Sequence, residues 1–348
     1  MSNLNLAQRL ARPELLELEP YQSARRIGGR GDIWINANES PFNRTELARL
    51  NRYPECQPPE LIEAYSNYSK VPAANIVCGR GADEAIELLI RAFCVPGRDS
   101  IAIFGPTYGM YGISAKTFNV GVNALSLTDN YELPADIDGV KGCKLVFICN
   151  PNNPTGTVIS PTKIEAVLKQ LPEQLVVVDE AYIEFCPENS VANLLASYPN
   201  LVILRTLSKA FALAGARCGF LMANSEVIDI IMLVIAPYPV PLPVSTLAVN
   251  ALRADGISNM LADVELLKNQ GQRLADELEQ LGANVVPSGA NFVLAYFDDI
   301  AKVSQGLKDA GIVARAYRDP RLVDAIRFSF TNEAETDQII AALRNILG

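Results

Sequence analysis

A lysine stands among small residues on a segment that also carries a serine and an arginine. Ser208, Lys209 and Arg217 all fall within residues 206–217. A lysine amine can attack an aldehyde and retain it as a Schiff base, and the hydroxyl and the guanidinium can bind a phosphate on the same molecule. A loop lysine that faces water after a buried strand would give the same sequence, so this segment needs support from other residues.

A carboxylate and a phenol follow another apolar run. Asp179 comes directly after residues 175–178, and Tyr182 lies three residues further on. An isolated buried carboxylate is costly, so Asp179 at the end of a buried strand requires a cationic partner. A protonated pyridine nitrogen would be such a partner, and an arginine in an internal salt bridge is the ordinary alternative.

Two further segments offer polar groups at the ends of predicted strands or at a helix start. Asn153 lies in the rigid turn at residues 150–156, which a purely structural role explains equally well. Ala82 and Asp83 lead into a helical run, where exposed backbone amides can bind a phosphate. Glu84 takes the place of the third glycine of a dinucleotide fingerprint, and there is no Walker lysine, so a capped helix start is the alternative.

A tyrosine and an arginine complete the set of polar side chains near predicted strands. Tyr108 follows a strand and could stack on a ring, although a tyrosine at such a place is usually a packing residue. Arg327 lies inside the apolar run at residues 325–328. An arginine there needs a carboxylate or a phosphate as partner, and its planar fork suits either one.

The composition excludes several kinds of chemistry. The chain has no histidine, so Ser-His-Asp and Cys-His catalysis, a histidine base and histidine-ligated zinc are impossible. Proton transfer must therefore use lysine, tyrosine or a carboxylate, and we expect no metal site. The net charge of −9 without a basic cluster argues against a nucleic-acid surface.

The cysteines and the apolar runs indicate a cytoplasmic protein without a membrane span. Seven cysteines, an odd number with no CxxC pair, fit reduced thiols better than a disulfide framework. The longest apolar run, residues 230–236, ends at Pro237, far short of the ~20 residues that a membrane helix needs. The first residues show no secretory signal pattern.

Strands and helices alternate in the part of the chain that carries these side chains. Continuous apolar strands between helical segments predict an α/β domain with a mostly parallel sheet flanked by helices. The proline-rich segment at residues 237–243 predicts a domain boundary. The predicted strands are residues 101–104, 144–149, 175–178, 201–204 and 220–223. The predicted domains are an N-terminal arm at 1–28, a large domain at 29–240 and a small α+β domain at 241–348, with a long helix near 245–281 and strands near 291–297 and 325–330.

Together these residues resemble the class I and II aminotransferases of the aspartate aminotransferase fold, which use pyridoxal 5'-phosphate (PLP). The matching residues, in family order, are Gly81-Ala82-Asp83, Tyr108, Asn153-Pro154-Thr155-Gly156, Asp179 with Tyr182, Ser208-Lys209, Arg217 and Arg327. Residues 20–26, 34–41 and 51–54 are similar to the N-terminal signature of the histidinol-phosphate aminotransferases. The resemblance covers essentially the whole chain. It implies exchange of an amino group between L-histidinol phosphate and 2-oxoglutarate, which gives imidazole-acetol phosphate and L-glutamate in histidine biosynthesis.

The resemblance also implies a role for each residue around PLP. Lys209 would form the Schiff base with PLP and later move the proton between the substrate Cα and the cofactor C4′, while Asp179 would keep the pyridine nitrogen protonated. The other implied cofactor contacts are Asn153 and Tyr182 at the ring oxygen O3′, Tyr108 stacked on the ring, and Ser208, Arg217 and the backbone of Ala82 and Asp83 at the phosphate.

The implied substrate site includes residues far apart in the sequence. Arg327 would bind the glutamate carboxylate, and Arg315 would help to bind the substrate phosphate. Tyr21 on the arm would close over the substrate, and Tyr53 would reach the cofactor phosphate of the neighbouring subunit, so the active site would belong to a homodimer. The implied substrate-binding set is Tyr21, Asn38, Asn153, Arg315 and Arg327.

Three alternatives share parts of this pattern. An aromatic amino-acid aminotransferase or a threonine-phosphate decarboxylase would have the same PLP core, and only the arm and Arg315 favour histidinol phosphate over them. A PLP-binding transcription regulator would need a basic winged-helix module ahead of the core, whereas about 30 residues precede Trp34.

Overall fold

The structure is a computed structural model that describes residues 4–28 and 33–348. Its strands are β1 (Ile76–Gly79), β2 (Ser100–Gly105), β3 (Gly121–Ser126), β4 (Leu145–Cys149), β5 (Leu175–Asp179), β6 (Leu201–Thr206), β7 (Gly219–Ala223), β8 (Asn284–Val286), β9 (Phe292–Tyr296), β10 (Arg315–Ala316) and β11 (Ala325–Ser329). Its α-helices are α1 (Leu6–Leu10), α2 (Ala24–Ile27), α3 (Pro59–Ser69), α4 (Ala82–Phe93), α5 (Met110–Thr117), α6 (Pro161–Gln170), α7 (Ser225–Val234), α8 (Leu242–Ala251), α9 (Ala254–Gln280), α10 (Ile300–Asp309) and α11 (Glu333–Leu347).

The first seven strands form one large sheet in the order β1-β7-β6-β5-β4-β2-β3. Neighbouring strands are parallel, except that β7 runs antiparallel to both β1 and β6. All five strands predicted from the sequence of this region are present, and their bounds differ from the prediction by one or two residues. The predicted α/β class with a mostly parallel, helix-flanked sheet is therefore confirmed.

The central strands are buried on both faces, which explains their unbroken apolar sequences. In β4, Val146 and Ile148 pack in one core cluster with α3, α6 and α8, whereas Leu145 and Phe147 pack in the other cluster with α1, α4, α5 and α7. Successive side chains of a strand point to opposite faces of its sheet, so helices on both sides require apolar residues at every position. Polar side chains that take part in function are consequently found at the strand ends.

A second, antiparallel sheet has the order β10-β11-β9-β8. Helices α9, α10 and α11 cover it and contribute Leu274, Val303 and Leu343 to its core. The predicted strands near 291–297 and 325–330 are β9 and β11. Strands β8 and β10 have only three and two residues, which is too short for an alternating pattern to show in the sequence.

The single long helix expected near 245–281 is observed as two helices, α8 and α9. Arg253, which lies between them, has an extended backbone with ψ 163°. A Cβ atom on Gly256 would lie 2.4 Å from the carbonyl oxygen of Ala251, so only glycine permits so close a turn. Leucine and arginine occupy the turn itself, and both favour helix, so the sequence pattern gives no sign of the break.

The start of the predicted arm belongs to the core. Leu6, Leu10 and Leu15 are buried together with side chains of α4 and α7, and the Arg12 amide donates a hydrogen bond to the Ala92 carbonyl at 3.0 Å. The part of the arm that follows is more open, and Tyr21 is 69% exposed. The predicted end of the arm adjoins residues 29–32, which lie outside the described residues.

The proline-rich segment, where the sequence predicts a domain boundary, follows α7, and its last two residues begin α8. Helix α9 contacts both parts of the molecule, since Met260 and Val264 pack in the core of the large sheet and Leu274 packs under the small one. The division at residues 240 and 241 remains a prediction. No helix in the described ranges is long and apolar enough to cross a membrane.

All seven cysteines are buried. Burial raises the pKa of the thiols of Cys94, Cys149, Cys186 and Cys218 to about 12. These side chains are therefore protonated at neutral pH and pack as small apolar groups.

Candidate active site

One cavity of about 560 Å³ lies at the carboxyl ends of the parallel strands of the large sheet, with the β10–β11 hairpin of the small sheet as its opposite wall. Ligands of open α/β sheets bind at this edge. Eleven of the residues predicted for the site line this cavity: Ala82, Asp83, Tyr108, Asn153, Asp179, Tyr182, Ser208, Lys209, Arg217, Arg315 and Arg327. They come from segments up to two hundred and forty-five residues apart, so the fold rather than local sequence brings them together.

Lys209 follows β6 and projects into this cavity. Its Nζ atom lies 5.5 Å from the centroid of the Tyr182 ring, and it makes no hydrogen bond or ion pair with any described residue. Burial, and secondly the positive charge of Arg327, lower the pKa of Lys209. A lowered pKa increases the fraction of neutral amine, which is the nucleophilic form.

Asp179 is the last residue of β5 and is 3% exposed. One of its carboxylate oxygens accepts a hydrogen bond from the Tyr111 hydroxyl at 2.6 Å, and the other accepts one from the Ala181 amide at 3.1 Å. Burial raises the pKa of Asp179 to about 6. The salt bridge weighed as an alternative is made by its neighbour, since Glu180 pairs with Arg205, while Asp179 has no ion pair among the described residues.

An anion-binding cradle forms where the start of α4 meets Arg217. The Arg217 guanidinium lies 3.1 Å from the Asp83 carboxylate and 3.4 Å from the Ser208 hydroxyl. Gly81 has φ 87°, and a Cβ atom there would lie 2.8 Å from the Arg217 guanidinium. Gly219 is as constrained, because its Cβ atom would lie 2.6 Å from the Ala82 amide nitrogen. The helix-start amides, a hydroxyl and a guanidinium converge here, which is the donor set that binds a phosphate.

Three side chains between the lysine and the cradle can surround a planar ring. The Tyr108 hydroxyl donates to the Asp83 carboxylate at 2.9 Å, which fixes the Tyr108 ring beside α4. The Asn153 amide donates to the Tyr182 hydroxyl at 3.1 Å. Burial raises the pKa of Tyr182 well above its usual range, so this phenol keeps its proton and can donate it in a hydrogen bond.

Two arginines lie side by side on the small sheet. Arg315 of β10 is directly opposite Arg327 of β11, so both side chains lie on one face of the hairpin. Arg327 donates to the Asn153 side-chain oxygen at 2.6 Å, and its Nε atom is buried without a partner among the described residues. Arg315 is exposed and lies over the Tyr317 ring. A paired set of guanidinium groups with unused donors can bind a carboxylate or a phosphate.

Three predicted residues do not line this cavity in the single chain. Tyr21 and Asn38 are exposed. The Tyr53 ring stacks on the Tyr238 ring, with centroids 4.3 Å apart. None of the three reaches Lys209 within its own chain, so their predicted roles stay predictions.

The sequence did not reveal two residues that shape the site. Tyr111 is fully buried and binds Asp179, and its spacing of three residues from Tyr108 at a helix start is the only signal for it. Tyr317 lines the cavity and its hydroxyl is buried without a partner among the described residues. The short strand β10 gives it no recognisable pattern.

The family model for aminotransferase class I and II matches residues 32–343. A histidinol-phosphate aminotransferase of Shewanella oneidensis is 66% identical, over 98% of this chain and 90% of that protein. The chain belongs to the histidinol-phosphate aminotransferase family of class I and II.

Other members of the family agree in length and fold. The histidinol-phosphate aminotransferase of Aliivibrio fischeri is 46% identical, over 98% of this chain and 99% of that protein. The crystal structure of the histidinol-phosphate aminotransferase from Clostridium acetobutylicum matches with a TM-score of 0.78 and 30% identity, over 85% of this chain and 91% of that one. The family and the fold expected from the sequence are confirmed.

Proposed function

We propose that this aminotransferase moves an amino group between L-histidinol phosphate and 2-oxoglutarate, with PLP bound through Lys209. One observation carries the proposal: an unpartnered lysine, a buried carboxylate without a cation and a phosphate cradle line the same cavity. The curated relatives at 46% to 66% identity are histidinol-phosphate aminotransferases, and they support this substrate over an aromatic amino acid or threonine phosphate.

The residues present fit PLP at each of its polar groups. Lys209 is free to react with its aldehyde, and the start of α4 with Ser208 and Arg217 would bind its phosphate. Asp179 would bind its ring nitrogen, and Asn153 with Tyr182 would bind its ring oxygen. When bound, PLP supplies a protonated ring that withdraws electrons and makes the substrate Cα–H acidic.

Lys209 lines the cavity and would be the base in this reaction. With the cofactor and substrate bound, the free Lys209 amine would accept the proton from the substrate Cα and return it at the cofactor C4′. Burial lowers its pKa and so increases the fraction of neutral amine that can accept a proton. The nearby Arg327 charge contributes to that shift, so the carboxylate of glutamate, by neutralising Arg327, would raise the pKa of Lys209 again.

Asp179 stabilises a positive charge at the ring nitrogen. Burial raises its pKa to about 6, and a pyridinium in contact with it would favour the ionised carboxylate. Tyr111 donates to the same carboxylate and fixes its orientation. Asp179, oriented by Tyr111, would therefore keep the ring nitrogen of PLP protonated.

Arg327 and Arg315 would bind the acidic ends of the two substrates. Arg327 would bind the carboxylate of glutamate through its unused donors, and the more exposed Arg315 would help to bind the phosphate of histidinol phosphate. An arginine fork accepts both anions, so one site can serve both half-reactions.

We further propose a homodimer with shared active sites, in a cytoplasmic protein. Exposed apolar side chains are concentrated in the N-terminal region that carries Tyr21, Asn38 and Tyr53: Ile27, Ile33, Ile35 and Phe42 are each at least 65% exposed. An apolar surface of this kind is characteristic of an interface between subunits. In the dimer Tyr53 would reach the partner's cofactor phosphate, and Tyr21 and Asn38 would complete the substrate site. The odd number of cysteines without a CxxC pair supports a reducing compartment.

The substrate can be tested with the protein loaded with PLP. Histidinol phosphate, tyrosine, phenylalanine and threonine phosphate are added separately, and the absorbance of the bound cofactor reports conversion from its aldehyde to its amine form. We expect histidinol phosphate to convert it at the lowest concentration. Lys209→Ala should lose the visible band of lysine-bound PLP. An unchanged spectrum in this variant would exclude Lys209 as the attachment site, and preference for another substrate would exclude histidinol phosphate.

A further inference from the structure

The β10–β11 hairpin, which forms one wall of the cavity, has only two pairs of residues between its strands. Strand β10 contributes two residues, and residues 317–324 connect it to β11. Tyr317, Asp319 and Leu322 from this connection line the cavity. A two-residue ladder cannot by itself fix the distance between this wall and the opposite wall, which is formed by residues 106–110.

A single arginine in the connection binds the large sheet. The Arg321 guanidinium donates to the carbonyl oxygens of Leu127 and Thr128, both at 2.8 Å, and to that of Gly105 at 3.4 Å. It also lies over the Tyr131 ring, 5.1 Å from its centroid. Hydrogen bonds from a charged donor are stronger than neutral ones, and the planar fork can reach several acceptors simultaneously.

One of these acceptors directly precedes the opposite wall of the cavity. Gly105 ends β2, and the segment 106–110 begins at the next residue. Around Arg321 the connection is fixed at two further atoms: its amide donates to the Asp319 carboxylate at 2.9 Å, and its carbonyl accepts from the Tyr296 hydroxyl at 2.9 Å. Arg321 therefore joins the two walls through a few bonds, although its own side chain does not line the cavity.

A separate contact secures the small sheet to the large domain. The Gly289 amide donates to the Gly156 carbonyl at 2.8 Å, and a Cβ atom on Gly156 would lie 2.2 Å from the Ser288 hydroxyl oxygen. This contact does not involve Arg321. Loss of the Arg321 bonds would consequently loosen the connection 317–324 and leave the rest of the small sheet in place.

We propose that Arg321 is a positioning residue that sets the width of the substrate cavity, by binding the strand-end carbonyls of the large sheet and holding Tyr317 and Asp319 against the opposite wall. It acts on substrate binding through these neighbours. The activity assay of this inference rests on the proposed function, whereas its hydrogen-exchange assay does not.

The test compares Arg321→Gln with Arg318→Gln in the PLP-loaded protein. Arg318 lies in the same connection, is exposed, and makes no hydrogen bond or ion pair with the described residues. We expect Arg321→Gln to raise KM for histidinol phosphate about tenfold or more, since displacement of binding groups by about 1 Å has effects of this order. We expect kcat and PLP affinity to change by less than about threefold. Amide exchange in residues 317–324 should accelerate, and Arg318→Gln should resemble the wild type.

Two milder variants apply if Arg321→Gln does not fold. Arg321→Lys retains the charge but offers one compact ammonium in place of the fork, so its KM should lie between those of the wild type and Arg321→Gln. Tyr296→Phe removes the hydroxyl that contacts both the Arg321 carbonyl and the Tyr131 hydroxyl, and it should also accelerate exchange in 317–324. Unchanged exchange and unchanged KM in these variants would overturn the inference, and so would an equal loss of PLP affinity. If the wild type does not convert histidinol phosphate, the proposed function fails, and the exchange measurement still decides the role of Arg321.

Discussion

At the scale of single residues, two neighbouring carboxylates have opposite environments. Glu180 is fully buried and pairs with Arg205 at 2.8 Å. Asp179 is almost as buried, accepts hydrogen bonds from Tyr111 and Ala181, and makes no ion pair with the described residues. Arg205 neutralises the Glu180 carboxylate within the chain, whereas the Asp179 carboxylate can pair with a positive charge on a bound ligand. The sequence Asp-Glu alone does not distinguish these roles.

The loss of folding stability caused by burying the Asp179 carboxylate without a cation should be measurable in the cofactor-free protein. Burial raises the pKa of Asp179 from 3.8 to about 6, so the folded chain binds this proton more tightly than the unfolded chain. Stability falls as the pH rises through this window, and above it the carboxylate costs up to about 3 kcal/mol. We expect Asp179→Asn to raise the Tm of the cofactor-free protein by a few degrees at pH 8 and to have little effect at pH 4. Asp129→Asn, at an exposed position, is the control. An equal change at both pH values would contradict the explanation.

Replacement of Arg327 should reduce the affinity for glutamate much more than the affinity for PLP. Removal of a buried charge partner costs about 2–5 kcal/mol, so Arg327→Ala should weaken glutamate binding at least thirtyfold or so. PLP affinity, measured from the absorbance of the bound cofactor, should change much less. Arg315→Ala is the matched comparison and should affect histidinol phosphate more than glutamate. An equal loss of PLP and glutamate binding in Arg327→Ala would place Arg327 outside the substrate site.

At the scale of elements, long apolar strands were predictable and short pairings were not. Strands β2, β4, β5, β6 and β7 are continuous apolar runs because helices cover both faces, and that pattern is visible in the sequence. The strand-end residues followed from it, since ligand sites lie at the carboxyl ends of such strands. Strands β1, β3, β8 and β10 were not predicted. Strands β1 and β3 are the two edges of the large sheet, and β8 and β10 have only three and two residues, so pairing with neighbouring strands rather than composition defines them. Tyr317 and Arg321 were not predicted either, because their positions depend on β10.

The start of α4 gives a prediction at this scale. Gly81 has a positive φ and lies against Arg217, so Gly81→Ala adds both backbone strain and a clash in the phosphate cradle. Gly142 has φ 91° with no atom within 4 Å of an added Cβ, so Gly142→Ala adds the strain alone. Both variants should lose about 1–2 kcal/mol of stability. Only Gly81→Ala should weaken PLP binding, by about tenfold or more. Equal PLP affinity in the two variants would remove the start of α4 from the phosphate site.

At the scale of the whole molecule, Tyr53 makes the proposed dimer testable. If Tyr53 acts on the partner's active site, chains carrying Lys209→Ala and Tyr53→Ala can combine into one intact site per mixed dimer. After unfolding and refolding of an equal mixture, activity should recover to at most about a quarter of the wild-type value. Each variant refolded alone is the control. Complete absence of recovery in a mixture that forms dimers would count against a shared site.

The burial of every cysteine makes the thiols a reporter of opening in the intact protein. Burial raises the thiol pKa of Cys94 and of Cys149 to about 12, so almost none of either thiol is ionised at neutral pH. Alkylating reagents should therefore modify the native chain at the rate at which the structure opens locally or globally. This rate should be lower than the intrinsic rate at which the reagent reacts with an exposed thiol. Cys149 lies in β4 beside Asp179 and lines the active-site cavity, whereas Cys94 lies at the end of α4. Their relative labelling rates would show whether ligand binding tightens the cavity alone or the whole sheet.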